Sequence, residues 1–327
     1  MAEAGDDERG VISTYRAWLP AEIDRRSFIQ QGIIVPDANV LLALYELTTS
    51  SQEAIFNALE QVADRLWLPH QVGLEVVRAR RSVVERRRKA FRQAKTDINN
   101  GVQAAQAELK RAAEAVERLL IKHAGDVEAA RELRLALPAI AEFPDIIEWR
   151  ETLEEALKLA QDEYDMDEDS LEAGDRILDR IVLLYGDRVG HPFFAEELHR
   201  LERLAIDFRF PNKVPPGFKD AGKASGLLSI GDYLVWEQLL RHAEALPSGQ
   251  LITFVTKDEK EDWWELDRAG SPRRVLCELE DEMWHRSCAS LRLETLNQFL
   301  EGVATYLDVA VDDSAFAELA RVTRSES

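Results

Sequence analysis

The sequence predicts an α/β fold: a parallel sheet flanked by helices, with a large helical insertion of coiled-coil character. Three observations predict it. A β-branched run, Gly32-Ile33-Ile34-Val35-Pro36, ends in Asp37 and passes directly into a helical apolar pattern. A second run, Leu251-Ile252-Thr253-Phe254-Val255-Thr256, ends in Lys257-Asp258. Between them, residues 96–205 read as almost wholly helical. In open α/β sheets ligands sit outside the carboxyl ends of the strands, and both runs deliver an Asp there.

The chain has 327 residues and a formal charge of −20. That length suits one large domain with an insertion, or two domains. The charge argues against a protein that coats polyanions generally. It leaves room for a local basic groove, because salt screens fields beyond about 10 Å. Cys277 and Cys288 imply no disulfide framework and read as reduced, buried thiols. No apolar run reaches the roughly 20 residues that span a bilayer, and residues 1–10 are polar with no signal-like apolar core. The expected compartment is the cytoplasm, with no membrane partner.

The expected organisation is a lead-in over 1–31, a first half of the sheet domain over 32–95, a helical hairpin insertion over 96–205, a second half over 206–300 and a helical tail over 301–327. Residues 1–10 read as disordered. A strand at 32–37 leads into a helix near 39–46. Thr48-Thr49-Ser50-Ser51 is an N-cap cluster, and Ala54, Ile55, Ala58, Leu59 and Val62 follow at helical spacing. Arg65-Leu66-Trp67-Leu68-Pro69 reads as a second short strand. The helix after it, from His70, carries Glu75 about one turn in, pointing back toward the strand ends.

From Arg78 to Lys95 the chain turns strongly basic, with Arg78, Arg81 and Arg88 among its arginines and Glu85 as its single acid. This is either a solvated helix face or a contact for a phosphate backbone. Val102, Leu109 and Val116 recur every seven residues, as do Ile146, Leu153 and Ala160. That repeat predicts an antiparallel hairpin that packs within the chain or between chains, with a protein partner or self-association as its role. Asp162 to Asp169 reads as an acidic turn. Asp232 opens a further helix, where an Asp can cap or bind a metal. Residues 272–322 read as mostly helical, including a helix over Leu291 to Leu307.

Asp37, Glu75, Asp232 and Asp258 thus arrive from four places at one sheet edge. Carboxylates clustered without a cation raise one another's proton affinity. Mg²⁺ or Mn²⁺ resolves this with hard oxygen ligands, and such a site hydrolyses phosphodiesters.

The set Val35-Pro36-Asp37-Ala38-Asn39-Val40, Trp67-Leu68-Pro69-His70-Gln71-Val72-Gly73-Leu74-Glu75, Pro215-Pro216-Gly217-Phe218-Lys219-Asp220, Gly231-Asp232-Tyr233-Leu234-Val235-Trp236 and Thr256-Lys257-Asp258 to Asp262-Trp263-Trp264 resembles a PIN-like nuclease domain. It is closest to the bacterial group with a long helical insertion. The resemblance implies a PIN-like (Rossmannoid) fold and a divalent-metal-dependent endonuclease acting on RNA or DNA. Asp37, Glu75, Asp232 and Asp258 fall on the acidic positions of the family. Asp262 and Asp220 lie in motifs typical of the group, as ligands or as support. Asn39 would orient Asp37, and Thr256 would support the last acid. Proteins of this group resemble effectors of bacterial defence and toxin systems.

Lys219, Lys223, Lys257 and Lys260 flank the acids, and Lys223 and Lys257 are the expected phosphate contacts among them. Trp263 and Trp264 either stack on bases or pack in the core. The alternative reading is a catalytically silent module that acts through partner binding. A phosphohydrolase of the haloacid-dehalogenase type also opens on a strand and an Asp, but it needs a second Asp where Asn39 stands.

Overall fold

The computed structural model describes residues 15–18, 23–124, 126–141, 144–163, 171, 174–220, 222 and 226–325. The expectations for residues 1–10, for the acidic turn beyond 163 and for Lys223 lie outside these. The chain divides into two compact units, one of residues 1–83 with 169–327 and one of Val84–Glu168.

The first unit opens with α1 (Arg25–Gln31), β1 (Ile33–Pro36), α2 (Ala38–Ala43), α3 (Thr49–Gln61) and the start of α4 (His70–Leu119). The second unit takes over α4 at Val84. A π-helical turn at Leu120–Ala124 ends α4, and α5 (Val127–Ala141) and α6 (Pro144–Glu163) follow. The first unit resumes with α7 (Arg176–Tyr185), α8 (Ala195–Leu204), α9 (Gly231–Glu244), β2 (Leu251–Thr256), β3 (Trp264–Leu266) and β4 (Pro272–Val275). It ends with α10 (Cys277–Ser287), β5 (Ser290–Thr295), α11 (Leu296–Leu307) and α12 (Asp313–Ser325).

The sheet is parallel, in the order β1-β2-β5. Its register pairs Pro36 with Val255 and Thr256 with Thr295. The central strand β2 is buried from Ile252 to Thr256, as expected for a parallel strand covered on both faces. β1 lies outside it, where Pro36 costs no ladder bond. Helices α1, α2 and α11 pack on β2, and α10 packs on β5. A separate antiparallel pair joins β3 and β4.

Several expectations are corrected. Residues 291–295 form β5 and not the start of a helix. Leu291 and Leu293 alternate with Arg292 and Glu294, a strand period. The helix begins at Leu296, behind a capping box of Thr295 and Gln298. Pro272–Val275, within the stretch expected to be mostly helical, forms β4. Residues 65–69 make only single-residue bridges, Leu66 to Ile34 and Leu68 to Val189. Cys277 is buried and free, whereas Cys288 is free and exposed. Among the described residues no helix is long and apolar enough to cross a membrane.

In the second unit several described residues of the seven-residue repeat are uncovered. Leu109 and Val116 are 37% and 49% exposed, and Leu153 is also exposed. The surface there carries ion pairs such as Arg92–Glu85 at 2.6 Å and Arg134–Glu117 at 3.4 Å.

In the first unit the tail helix is bound through its buried Glu318. Glu318 accepts from the Thr48 backbone N–H at 2.9 Å, from the Thr48 hydroxyl at 2.6 Å and from the Ser51 hydroxyl. The start of α3 is therefore satisfied from α12 and not by its own Thr48 side chain, which makes no capping bond. Glu318→Ala leaves these buried donors unpaired and should cost about 1–3 kcal/mol. Urea unfolding monitored by circular dichroism measures the loss.

Candidate active site

Asp37 stands where β1 ends and α2 begins. It is the N-cap of α2, and its Oδ1 accepts from the Ala38 N–H at 2.7 Å. Its Oδ2 accepts from Asn39 Nδ2 at 2.7 Å and from the Thr256 hydroxyl at 3.0 Å. Asn39 Nδ2 also donates to Thr256 Oγ1 at 2.9 Å, while Asn39 Oδ1 accepts from the Lys257 N–H at 2.8 Å. The Asp258 N–H donates to Thr256 Oγ1 at 3.0 Å. One amide and one hydroxyl thereby join the carboxyl ends of β1 and β2 and set Asp37 beside Asp258.

Glu75 reaches the same place from the first turns of α4. Gln71, one turn earlier, donates to Glu75 Oε1 at 2.9 Å. The Gln71 N–H, a free donor at the helix start, goes to Gln238 Oε1 at 2.9 Å. Asp232 is the second residue of α9 and does not cap it, since Ile230 holds the N-cap position. Trp263 Nε1 faces Asp232 Oδ2 at 3.4 Å. A Cβ at Gly231 would stand 3.1 Å from Glu75 Oε1, which would have to give by a few tenths of an ångström. Gly217 has a φ of +92°, a backbone state that L side chains avoid, and lies against Asp232 and Phe210.

Asp262 is fully buried. Its Oδ2 accepts from the Gly217 and Lys219 N–H groups at 3.1 and 3.2 Å, and its Oδ1 has no hydrogen-bond partner among the described residues. It holds the Asp220 loop in place. Arg209 anchors the other side of that loop by donating to Pro215 O and pairing with Glu282 at 2.9 Å.

The carboxylates perturb one another. Burial pushes Asp37 up to about 7, with Glu75 and then Asp258 adding repulsion against the bonds from Ala38 and Thr256. Burial also takes Asp232 up to about 7, helped by Asp37, Asp220 and Asp258 and opposed by Lys260. Glu75 is raised by burial, partly offset by Gln71, with Asp232 and Asp220 adding to the rise. Burial raises Asp262 as well. Such mutual elevation marks a shared site.

Lys260 faces this cluster. Its Nζ lies 2.5 Å from Asp258 Oδ2 and 3.6 Å from Asp220 Oδ1. Burial opposes its charge, but Asp258, Asp232 and Asp220 outweigh burial and raise its pKa. Lys257 is placed differently from the expectation: its side chain is 6% exposed and its ammonium is 3.7 Å from Glu46. Arg78 and Arg81 are exposed on α4. Arg88, half-buried, belongs to the second unit. Arg80, from the same basic stretch, is spent on Asp175 at 2.9 Å. Trp263 and Trp264 are buried. Trp263 stacks on Phe254 at 4.9 Å, and Trp264 Nε1 donates to the Asp258 carbonyl at 2.7 Å. They build the site from behind and offer no face to a base.

Sequence reasoning missed Gln71, Gln238 and the placement of Lys260. The spacing of Gln71 and Glu75, one helical turn, was the available signal for the first.

Among the described residues, no group of three or more His, Cys, Asp or Glu side chains is arranged so that it could hold a metal ion. Asp37 accepts hydrogen bonds from Ala38, Asn39 and Thr256, and Asp258 faces Lys260 with both oxygens. The chemistry of the donor set nevertheless fits a hard divalent cation. Every donor is a carboxylate oxygen, and Asp37, Glu75 and Asp232, raised first by burial, are raised further by one another's charge.

The family model of the PIN-like domain matches residues 33–279, which takes in β1, the insertion, β2 and every acid of this cluster, and the chain belongs to that family. PIN domains are generally nucleases and typically use divalent metals. No curated protein matches the chain, and no solved structure does.

Without a cation, Asp37 and Asp232 bind protons in the folded state at pH values where the unfolded chain has lost them. Their contribution to stability is complete below about pH 4 and is lost as pH rises through about 7. Asp37→Asn should therefore stabilise the EDTA-treated protein at pH 8, by on the order of 1–3 kcal/mol, and much less at pH 4. Calorimetric melts at the two pH values check this, and an equal gain at both would contradict it.

Proposed function

We propose that the chain is a divalent-metal-dependent endonuclease that hydrolyses phosphodiester bonds of RNA or DNA in the cytoplasm. The observation that carries this reading is the meeting of Asp37, Glu75, Asp232 and Asp258 at the carboxyl edge of the sheet, with Asp37 and Asp232 each pushed up to about 7. Asp37, Glu75 and Asp232 would hold Mg²⁺ or Mn²⁺, with Asp258 beside them facing Lys260. A divalent cation supplies Lewis-acid polarisation of a phosphoryl oxygen and lowers the pKa of water.

The chain does the positioning. Asn39 and Thr256 hold Asp37 against the end of β2. Gln71 leaves Glu75 one defined orientation. Asp262 supports the site through the 217–219 backbone and is a positioning residue in this reading. Arg78 and Arg81, exposed on α4 beyond Glu75, are suited to a phosphate backbone, and Arg88 and Lys223 extend the same reading. The resemblance to effectors of bacterial defence and toxin systems supports a role of that kind.

The test is cleavage of labelled single-stranded RNA, single-stranded DNA and duplex DNA with Mn²⁺. Asp37→Asn should lose about 100-fold or more of the rate, and EDTA should abolish it. Undiminished cleavage by Asp37→Asn would sink the assignment.

One observation favours a second reading, association through the insertion: the seven-residue repeat leaves Leu109 and Val116 exposed. Self-association predicts a multimer by light scattering that Leu109→Glu with Val116→Glu reduces to a monomer. A wild-type monomer at all concentrations removes this reading.

A further inference from the structure

We propose that Lys260 is a built-in cation of the carboxylate site, occupying the ground of a second divalent ion and restricting the site to one metal. The inference rests on the metal site proposed above.

The geometry of Asp258 is the starting point. Its two oxygens are both taken by the same residue: Oδ1 accepts from the Lys260 N–H at 3.0 Å, and Oδ2 lies 2.5 Å from Lys260 Nζ. The ammonium then reaches Asp220 Oδ1 at 3.6 Å and acts on Asp232. One lysine thus links the acid at the end of β2 with the acid of the 217–220 loop.

Lys260 is not a loose surface side chain that wandered inward. Its carbonyl accepts from the Trp263 and Trp264 N–H groups, both at 3.1 Å. Trp264 in turn holds the Asp258 carbonyl, and Trp263 is buried against Phe254 and Asp232. The turn that carries Lys260 is pinned at both ends, and its side chain is only 36% exposed.

The consequence is one of charge and of ligands. Two divalent ions sharing one site need bridging and terminal carboxylate oxygens on both sides. The oxygens of Asp258 and Asp220 that would serve the second ion are those facing Lys260. A fixed ammonium there also repels a second cation directly, and it does so without leaving, whereas an ion exchanges with solvent. Asp37, Glu75 and Asp232 are left for a single ion, and of these Asp232 also feels the Lys260 charge.

Mn²⁺ titration of the full chain by isothermal calorimetry, with electron paramagnetic resonance of the bound Mn²⁺, tests this. Wild type should take one ion and show an uncoupled spectrum. Lys260→Met should take two and show a spin-coupled pair, and Lys260→Arg should keep one. Melting curves establish that each variant is folded, and Lys260→Gln serves if Lys260→Met is not. Two ions on wild type, or one ion of unchanged affinity on both Lys260→Met and Lys260→Gln, overturns the proposal. Wild type that binds no Mn²⁺, and is no different from Asp37→Asn, overturns the metal site itself along with it.

Discussion

The site depends on one short polar bridge, Asn39 to Thr256 to Asp37, across the carboxyl ends of two neighbouring parallel strands. Its amide donates to both Asp37 Oδ2 and Thr256 Oγ1, and its oxygen accepts from the Lys257 backbone. Take the amide away and the loop after β2 loses its register against the start of α2. Both Asp37 and Asp258 lose their place together. Asp37 is surrounded by donors while burial, and then the charges of Glu75 and Asp258, raise its proton affinity.

Around that bridge the protein sets a second ring of supports. Gln71 joins the start of α4 to Gln238 in the middle of α9 and at the same time orients Glu75. Asp262 and Arg209 fix the two sides of the 210–220 loop. The buried indoles of Trp263 and Trp264 back both Asp232 and Asp258. Each acid therefore has its own orienting partner.

Much of this could be read from the residues alone, for a physical reason. β1 and β2 are short β-branched runs that stop at an acid, and an acid after a buried strand has few explanations. β5 could not be separated, because Leu291 and Leu293 run straight into the helical pattern of Leu296, Phe299, Leu300 and Val303. Only the Thr295 capping box marks the boundary. The lysines misled for a different reason. Lys257 and Lys260 flank the same acid in sequence, but both lie in the loop beyond β2, where no strand period fixes side-chain direction. One went inward to Glu46 and the other turned over the carboxylates. The seven-residue repeat predicted helices correctly, but a repeat does not say which surface covers it.

The parallel pairing of β1 with β2 has a consequence for how the protein comes into being. Ile33 pairs with Ile252, so more than half of the polypeptide must be made before the first strand finds its neighbour. Asp258 is not even translated until later. A ribosome carrying the nascent chain therefore presents Asp37 and Glu75 without their partners. The complete acid set is assembled only after Asp258 has been made, so under the proposed function the nascent chain gains its site late.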